Sequence, residues 1–168
     1  AIKNYNEIIK KFENNSNETI KSCVADALYH KAKILIKIKK NDHAIEIYKQ
    51  ILDKYGNEKN RLTKDTIALT LVHLGDLYTD QNEEENAIKS YDCVNHRFRR
   101  SAKNSFLSEM VITSLYQKGN ALVHFDKHTE ALVAYTQTIE NLEKNNNPEY
   151  FDRLLEVSMR KAMTLSDL

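Results

Sequence analysis

The sequence repeats itself with a period of about 43 residues, and this repeat limits the folds that the chain can adopt. A string of alanine, isoleucine or leucine, two variable residues and tyrosine begins at Ala1, Ala44, Ala87 and Ala131, so its copies lie 43, 43 and 44 residues apart. Four copies in phase indicate that one structural unit is used several times. Because such a unit leaves an apolar face uncovered, neighbouring units must stack to bury it.

A second string keeps the same phase and lies twelve residues before each alanine. It places a small residue at Ala32, Gly75 and Gly119, with Ala162 in a final partial copy. Leucine or tyrosine follows three residues later, and leucine precedes by four residues in the first three copies, with Ser158 in the partial copy. These spacings put the residues on one helical stripe, where the small residue permits a close helix crossing.

These patterns predict an all-α chain of paired helices. Three glycines and one proline are too few for the turns of a β protein of 168 residues. The predicted helices cover residues 1–13, 18–39, 42–55, 63–81, 84–99, 105–125, 128–144 and 148–166. The chain thus opens on the second helix of one pair, holds three full pairs and closes on a first helix. Pro148 suits the first turn of the last helix, with Asn147 as its cap.

The two strings resemble the tetratricopeptide repeat. That family carries an aromatic residue, leucine-glycine and tyrosine in its first helix, and alanine with an aromatic residue four positions later in its second. The best match runs from Leu71 through Gly75 to Tyr78, followed by Ala87 and Tyr91. Leucine replaces the usual tryptophan, the closing proline is absent, and the period exceeds the usual value of about 34. HEAT repeats, which share the length without the small and aromatic pattern, are the alternative structure.

The resemblance implies a right-handed α-solenoid of antiparallel helix pairs, a superhelix of the long-period tetratricopeptide kind. We expect a single repeat domain over residues 1–168. Its parts are a partial repeat, three full repeats and a terminal helix, at residues 1–17, 18–60, 61–103, 104–146 and 147–168. Because the chain opens on a second helix, we expect either a fragment of a longer protein or end-to-end self-association.

Charge and motifs argue against several function classes. The 25 basic and 24 acidic residues nearly cancel, whereas a nucleic-acid binder usually carries a basic surplus. The basic cluster of Arg97, Arg99, Arg100 and Lys103 suits the C-terminal end of a helix. The sequence contains no phosphate-binding glycine loop, HExxH or GxSxG motif. We therefore predict no enzymatic activity, no cofactor and no nucleic-acid partner.

Histidine and cysteine patterns do not predict a metal site or a disulfide framework. His124 and His128 have the i, i+4 spacing of a helical metal pair, but His128 lies at a turn and a third ligand is not evident. Cys23 and Cys93 suit small buried thiols in a reducing compartment. No apolar run reaches membrane-spanning length. We expect a cytoplasmic protein without a metal ion or a membrane partner.

In the family that the chain resembles, the first helices line a concave groove that binds peptides. The resemblance implies groove contacts three and two residues before the small position, and one and five residues after it. In this chain these residues are Tyr29, His30, Lys33, Lys37, Val72, His73, Asp76, Asp80, Tyr116, Gln117, Asn120 and His124. The partial copy adds Met159, Arg160 and Met163. The set lacks the lysine, asparagine and arginine clamp that grips a C-terminal carboxylate in some members.

The sequence thus favours a protein–protein interaction scaffold that binds a peptide or protein segment in this groove. We expect Tyr29, Tyr116 and Asn120 to be partly exposed there, with Asn120 available to a peptide backbone. His30 and His73 hold the same repeat position and could approach each other. Two alternatives stay open: a ligand-sensing or accessory domain of a larger enzyme or of a defence or regulatory protein, and a structural spacer with a merely solvated groove.

Overall fold

The computed structural model describes residues 1–101, 105–145 and 148–168, and the chain is helical through most of these ranges. The helices are α1 (Ile2–Phe12), α2 (Glu18–Lys37), α3 (Asn41–Tyr55), α4 (Arg61–Asp80), α5 (Glu84–Phe98), α6 (Ser105–His124), α7 (His128–Asn145) and α8 (Phe151–Ser166). A short 3-10 helix, Pro148–Tyr150, precedes α8. No strand occurs within the described ranges. The prediction of an all-α chain of paired helices is confirmed.

The last helix begins later than the sequence predicts. Pro148 starts the 3-10 helix, and Tyr150 is the N-cap residue of α8, in keeping with the frequent use of 3-10 turns at helix starts. Asn147, the predicted cap, lies outside the described residues. Lys103 of the predicted basic cluster and the predicted repeat boundaries at 103–104 and 146–147 also involve residues outside these ranges.

The chain divides into two compact units, residues 1–74 and 75–168, with the boundary inside α4. In the first unit α2 packs against α1 and α3. In the second unit α6 packs against α5 and α7, and α7 packs against α8. Helices that follow one another therefore cover each other's apolar faces within each unit. The assignment of residues 1–168 to a single repeat domain stays a prediction.

In the second unit, glycines bring paired helices close together. A Cβ atom built on Gly75 would lie 2.6 Å from a ring carbon of Tyr91, and one built on Gly119 would lie 2.5 Å from a ring carbon of Tyr135. Both tyrosines are buried. Each ring therefore occupies space that any larger residue at the glycine would need, as the repeat pattern predicts.

Each turn from a first to a second helix contains one residue with a positive φ. These residues are Lys39, Asn82 and Asp126, with φ angles of 59°, 58° and 57°, and they keep the phase of the repeat. In each turn the following N–H donates to a carbonyl five residues back, for example from Glu83 to Tyr78 at 2.8 Å. This is the helix C-terminal motif that a left-handed residue makes possible. Asparagine and aspartate tolerate the left-handed region better than lysine does.

Two further features of the fold are the exposure of its cysteine thiols and the hydropathy of its helices. Cys23 and Cys93 lie in helices as predicted, but Cys23 is exposed and Cys93 is partly exposed. The expectation of two buried thiols is therefore wrong, because Cys23 lies on a side of α2 that its neighbouring helices leave open. None of the described helices is long and apolar enough to cross a membrane.

Replacing Lys39 by glycine should stabilise the protein by about 0.5–1 kcal/mol, because glycine adopts a positive φ without the steric cost that lysine bears there. Urea denaturation measures the change. Lys39→Ala is the control, since alanine carries a Cβ atom as lysine does and gains nothing at the positive φ of this position. A lower free energy of unfolding for Lys39→Gly than for the unchanged protein would contradict this account of the turn.

Replacing Gly75 by leucine should overpack the contact with Tyr91 and lower the free energy of unfolding by about 1–3 kcal/mol. A double-mutant cycle with Gly75→Ala and Tyr91→Leu tests the cause. Gly75→Ala should be less destabilising in the Tyr91→Leu background, because the ring atoms nearest to the new Cβ are then absent. An unchanged denaturation midpoint for Gly75→Leu would show that the assigned repeat phase is wrong.

Candidate functional site

A pocket in the second unit brings together five of the predicted groove residues. It lies between the end of α4 and the second half of α6, and it has a volume of about 230 Å³. Its lining consists of Asp76, Thr79, Asp80, Tyr91, Gln117, Asn120, Ala121 and His124. We call it the first-helix pocket, because every lining residue except Tyr91 belongs to a first helix of the repeat.

A chain of hydrogen bonds runs along this pocket. The Tyr135 hydroxyl donates to Asn120 Oδ1 at 2.8 Å, and Asn120 Nδ2 donates to Gln117 Oε1 at 3.0 Å. Gln117 Nε2 donates to Asp76 Oδ1 at 3.3 Å. The Tyr91 hydroxyl donates to the same Asp76 oxygen at 2.8 Å. Polar groups from α4, α5, α6 and α7 are thereby held in fixed positions relative to one another.

The repeat spacing explains why a tyrosine hydroxyl reaches the pocket. Each ring packs on a glycine, and its hydroxyl extends to the next residue of the first helix, which is Asp76 or Asn120. The repeat pattern by itself indicates only a packing role for these tyrosines. A signal for the second role was available, because a polar residue directly follows the glycine in both copies, and half-buried polar groups require partners.

Burial keeps the hydroxyls of Tyr91 and Tyr135 protonated. It raises the pKa of Tyr135 from 10.0 to about 12. Burial also raises the pKa of Tyr91 far above its ordinary value, and the nearby Asp76 carboxylate raises it further. Each tyrosine therefore acts as a hydrogen-bond donor at neutral pH, and each polar residue that it contacts must offer an acceptor oxygen.

The first-helix pocket is acidic. Asp76 and Asp80 lie one helical turn apart on α4, and neither lysine nor arginine is among the described lining residues. Asp76 is partly buried and Asp80 is exposed. The His124 imidazole lies at the edge, with Nε2 2.8 Å from Asn82 Oδ1. Two carboxylates in one small concavity favour a cationic group over an anionic one.

Replacing Tyr135 by phenylalanine should flatten the loss of stability at alkaline pH. The folded state binds the Tyr135 proton more tightly than the unfolded state, with a pKa of about 12 against 10.0. The stabilisation of the folded state by this tighter proton binding is fully present below pH 10 and is lost as the pH rises toward 12. Tyr135→Phe should lower stability at neutral pH by about 1 kcal/mol through the lost hydrogen bond. Urea denaturation over this pH range should give a shallower decline for the variant, and parallel curves would contradict the assignment.

The predicted groove residues of the first unit form an aromatic cluster. The Tyr29 ring lies between His30 and His73, with centroid distances of 5.4 and 5.8 Å. Its hydroxyl is 3.0 Å from His73 Nε2. The Lys33 ammonium lies 5.6 Å from the centroid of the same ring, whereas Lys37 is exposed. The two histidines that we expected to approach each other thus share Tyr29 as a neighbour.

Two predicted groove residues are buried. Tyr29 is 4% exposed and Val72 is 6% exposed, so neither side chain offers a surface for a ligand in this structure. The expectation that Tyr29 is partly exposed is wrong, because Tyr48 and His73 pack against its ring. We therefore leave Tyr29 and Val72 out of the proposed contact surface.

Tyr116 and Asn120 are partly exposed, as the sequence analysis expects. Both are nevertheless engaged within the second unit. The Tyr116 hydroxyl donates to Glu156 Oε1 at 2.5 Å, and both ends of the Asn120 amide take part in the hydrogen-bond chain. Asn120 therefore serves first to position Gln117, and its availability to a peptide backbone stays a prediction.

A larger cleft of about 830 Å³ lies between α5 and α7 in the second unit and was not foreseen from the sequence. We call it the second-helix cleft. Its apolar lining includes Ile88, Leu122, Val133 and Ala134. Val133 is 54% exposed, although the corresponding residues of the two preceding copies are Glu46 and Lys89. This apolar replacement at a solvated position is the signal that the sequence offered.

Charged residues at the second-helix cleft pair with one another. Lys118 Nζ is 2.6 Å from Asp92 Oδ1, and Lys127 forms an ion pair with Glu84. The hydrogen bond to Glu84 raises the pKa of Lys127. Four of the charges at this cleft are thus balanced internally, and its remaining character is mainly apolar.

A metal site is not formed by the described residues. Residues 1–101, 105–145 and 148–168 contain no group of three histidine, cysteine, aspartate or glutamate side chains that could hold a metal ion. His124 ends α6 and His128 begins α7. Their i, i+4 spacing therefore crosses a turn and does not place them on one face of a single helix.

Two stretches of the chain match the models of a known family. Two family models of the tetratricopeptide repeat match the chain, one over residues 26–57 and the other over residues 68–92. The second match includes Gly75, Tyr78, Ala87 and Tyr91, which are the residues that carry the resemblance. A comparison with curated proteins gives no match. Tetratricopeptide repeats generally mediate protein–protein interaction and are typically non-catalytic.

Proposed function

We propose, since this chain belongs to the tetratricopeptide-repeat family, that it is a scaffold which binds a protein segment on the surface of its first helices. Within that surface we assign the first-helix pocket to a basic side chain of the bound segment. A scaffold role follows from the family, whose repeats mediate protein–protein contacts. The observation that carries the finer proposal is that two carboxylates, Asp76 and Asp80, line the same small concavity.

The two carboxylates are suited to different tasks. Asp76 is oriented by Tyr91 and Gln117, which donate to its Oδ1 atom at 2.8 and 3.3 Å. A carboxylate held in this way meets a ligand without first losing rotamer freedom, which lowers the entropic cost of binding. Asp80 is exposed at the pocket edge, where it can attract a cation from solution.

A lysine or arginine side chain fits this arrangement better than an apolar one. Its methylene stem can lie against the partly buried wall while its charged group reaches the carboxylates. Arginine has the further advantage that its planar group donates two parallel hydrogen bonds to one carboxylate. If the surface were only the solvated wall of a structural spacer, Asp76 and Asp80 would show no preference for a basic side chain over an apolar one.

The test is selection of peptides from a random display library on the unchanged protein and on a double variant, Asp76→Asn with Asp80→Asn. Asparagine at position 76 keeps an acceptor oxygen for Tyr91 and Gln117 and removes the charge. We expect lysine or arginine to be enriched at one position of the selected peptides. The double variant should bind those peptides about tenfold more weakly or worse, with an unchanged denaturation midpoint, and binding should weaken with salt.

Asp53→Asn is the matched control, because Asp53 is an exposed aspartate on α3 that does not line the pocket. It should bind the selected peptides as the unchanged protein does. Peptides without a basic residue, or equal affinity for the double variant, would contradict the assignment of the pocket. If binding were instead lost in Val133→Glu, the second-helix cleft would be the binding surface.

A further inference from the structure

The second-helix cleft has the form of a groove that a further helix could fill. Its sides are α5 and α7, both of which pack against α6, and α6 contributes Lys118 and Leu122 to the lining. The lining residues of α5 run from Glu84 to His96, which corresponds to about three helical turns. None of the described lining residues belongs to the first-helix pocket, so the two concavities are separate surfaces of the second unit.

The middle of the cleft is apolar. Ile88 of α5 is partly buried and packs against the core of the second unit, and Leu122 and Ala134 are buried parts of the lining. Val133 of α7 is 54% exposed. An apolar surface that covered Ile88 and Val133 would remove both side chains from water, which is favourable.

Charges lie on both sides of this apolar middle. The described lining includes seven charged residues and one histidine, which are in chain order Glu84, Glu85, Lys89, Asp92, His96, Lys118, Lys127 and Glu130. Lys127 pairs with Glu84, and Lys118 pairs with Asp92. Four carboxylates against three ammonium groups leave this lining with one net negative charge when the histidine is neutral.

The negative charge lies at the end of the cleft where α5 and α7 begin. Glu85 lies in the first turn of α5 and Glu130 in the first turn of α7, and both are exposed. Lys89, one turn further along α5, offsets only one of these charges. The charged residues near the opposite end of α5 and α7 are four positive and two negative, namely Arg97, Arg99, Arg100, Lys144, Glu140 and Glu143. The two ends of the cleft therefore differ in the sign of their charge.

The walls of the cleft favour a helical occupant. Helices α5, α6 and α7 pair their backbone N–H and C=O groups internally, so these three helices offer no strand edge with which an extended segment could pair. An extended segment on Ile88 and Val133 would hold its own backbone groups against apolar side chains without partners, which is costly. A helix forms these hydrogen bonds within itself and presents only side chains to the groove.

We propose that the second-helix cleft binds an amphipathic α-helix of a partner protein, which lies antiparallel to α5 and α7. The apolar stripe of this helix covers Ile88 and Val133, and lysine or arginine in its last turn meets Glu85 and Glu130. Basic residues in the last turn also stabilise the bound helix itself. The parallel orientation would bring them to the end of the cleft that already has a surplus of positive charge. The inference concerns the cleft alone and does not depend on the specificity of the first-helix pocket.

Peptide selection on the full chain with Asp76→Asn and Asp80→Asn tests the proposal, because this variant lacks the carboxylates of the first-helix pocket. The library consists of alanine-based helical peptides of about 18 residues, randomised along one face and in the last turn. Selected peptides should carry apolar residues spaced by three and four positions and a basic residue in the last turn. Val133→Glu should weaken their binding at least about tenfold, because the bound helix would bury the new carboxylate. Glu85→Gln with Glu130→Gln should weaken binding about threefold or more and reduce its dependence on salt.

Thiol reactivity locates the bound peptide. Cys93 is partly exposed in the lining of the cleft, whereas Cys23 is exposed on α2 in the first unit. A saturating concentration of a selected peptide should slow the alkylation of Cys93 by iodoacetamide and leave that of Cys23 unchanged. Mass spectrometry of the digested chain measures the two rates separately.

Leu155→Glu is the matched control, since Leu155 is exposed to the same fraction as Val133 and lies outside the lining of the cleft. It should leave the binding of the selected peptides unchanged, and thermal melting should show that every variant is folded. Selected peptides without helical spacing, undiminished binding in Val133→Glu, equal loss in Leu155→Glu or an unprotected Cys93 would overturn the proposal. So would self-association of the unchanged protein that Val133→Glu abolishes, because the cleft would then bind a second copy of this chain.

Discussion

A tyrosine ring packed on a residue that has no side chain is the contact on which the second unit depends. The rings of Tyr91 and Tyr135 lie so close to Gly75 and Gly119 that a Cβ atom would have 2.6 and 2.5 Å of room. This closeness sets the spacing of the paired helices, and it also carries each hydroxyl to the next residue of the first helix. Packing and the polar arrangement of the first-helix pocket therefore share one cause, and a change that displaces the ring must disturb both.

The dependence on one contact explains how much of the fold could be predicted. Every copy must provide a small residue and, sixteen positions later, a tyrosine, so the contact is visible in the sequence as Gly75 with Tyr91 and Gly119 with Tyr135. The turns were harder to predict, because their left-handed position is not held by a glycine. Lys39, Asn82 and Asp126 occupy it in the three copies. At that position the hydrogen bonds of the helix end determine φ, and the residue type adapts.

The candidate site was only partly predictable, for a related reason. Counting from the small position gives the direction of a side chain on its own helix, but its exposure depends on what the neighbouring helix provides. Tyr29 and Tyr116 hold the same repeat position. Each has the tyrosine of the following helix as a neighbour, but Tyr29 is also covered by His73, whereas Tyr116 meets Glu156 and stays partly exposed. Those neighbours vary between copies, so the repeat pattern alone could not separate the two cases.

The residue after the small position shows how recognition can vary while packing stays constant. It is Lys33, Asp76, Asn120 and Met163 in successive copies. The tyrosine ring contacts the small residue in front of it, so the charge of this next residue can change without altering the ring contact. Where the residue is Asp76 or Asn120, the hydroxyl of the same tyrosine orients it. Each copy can therefore present a different polar group in a similar place, and the acidic character of the first-helix pocket is a property of these copies and not of the fold.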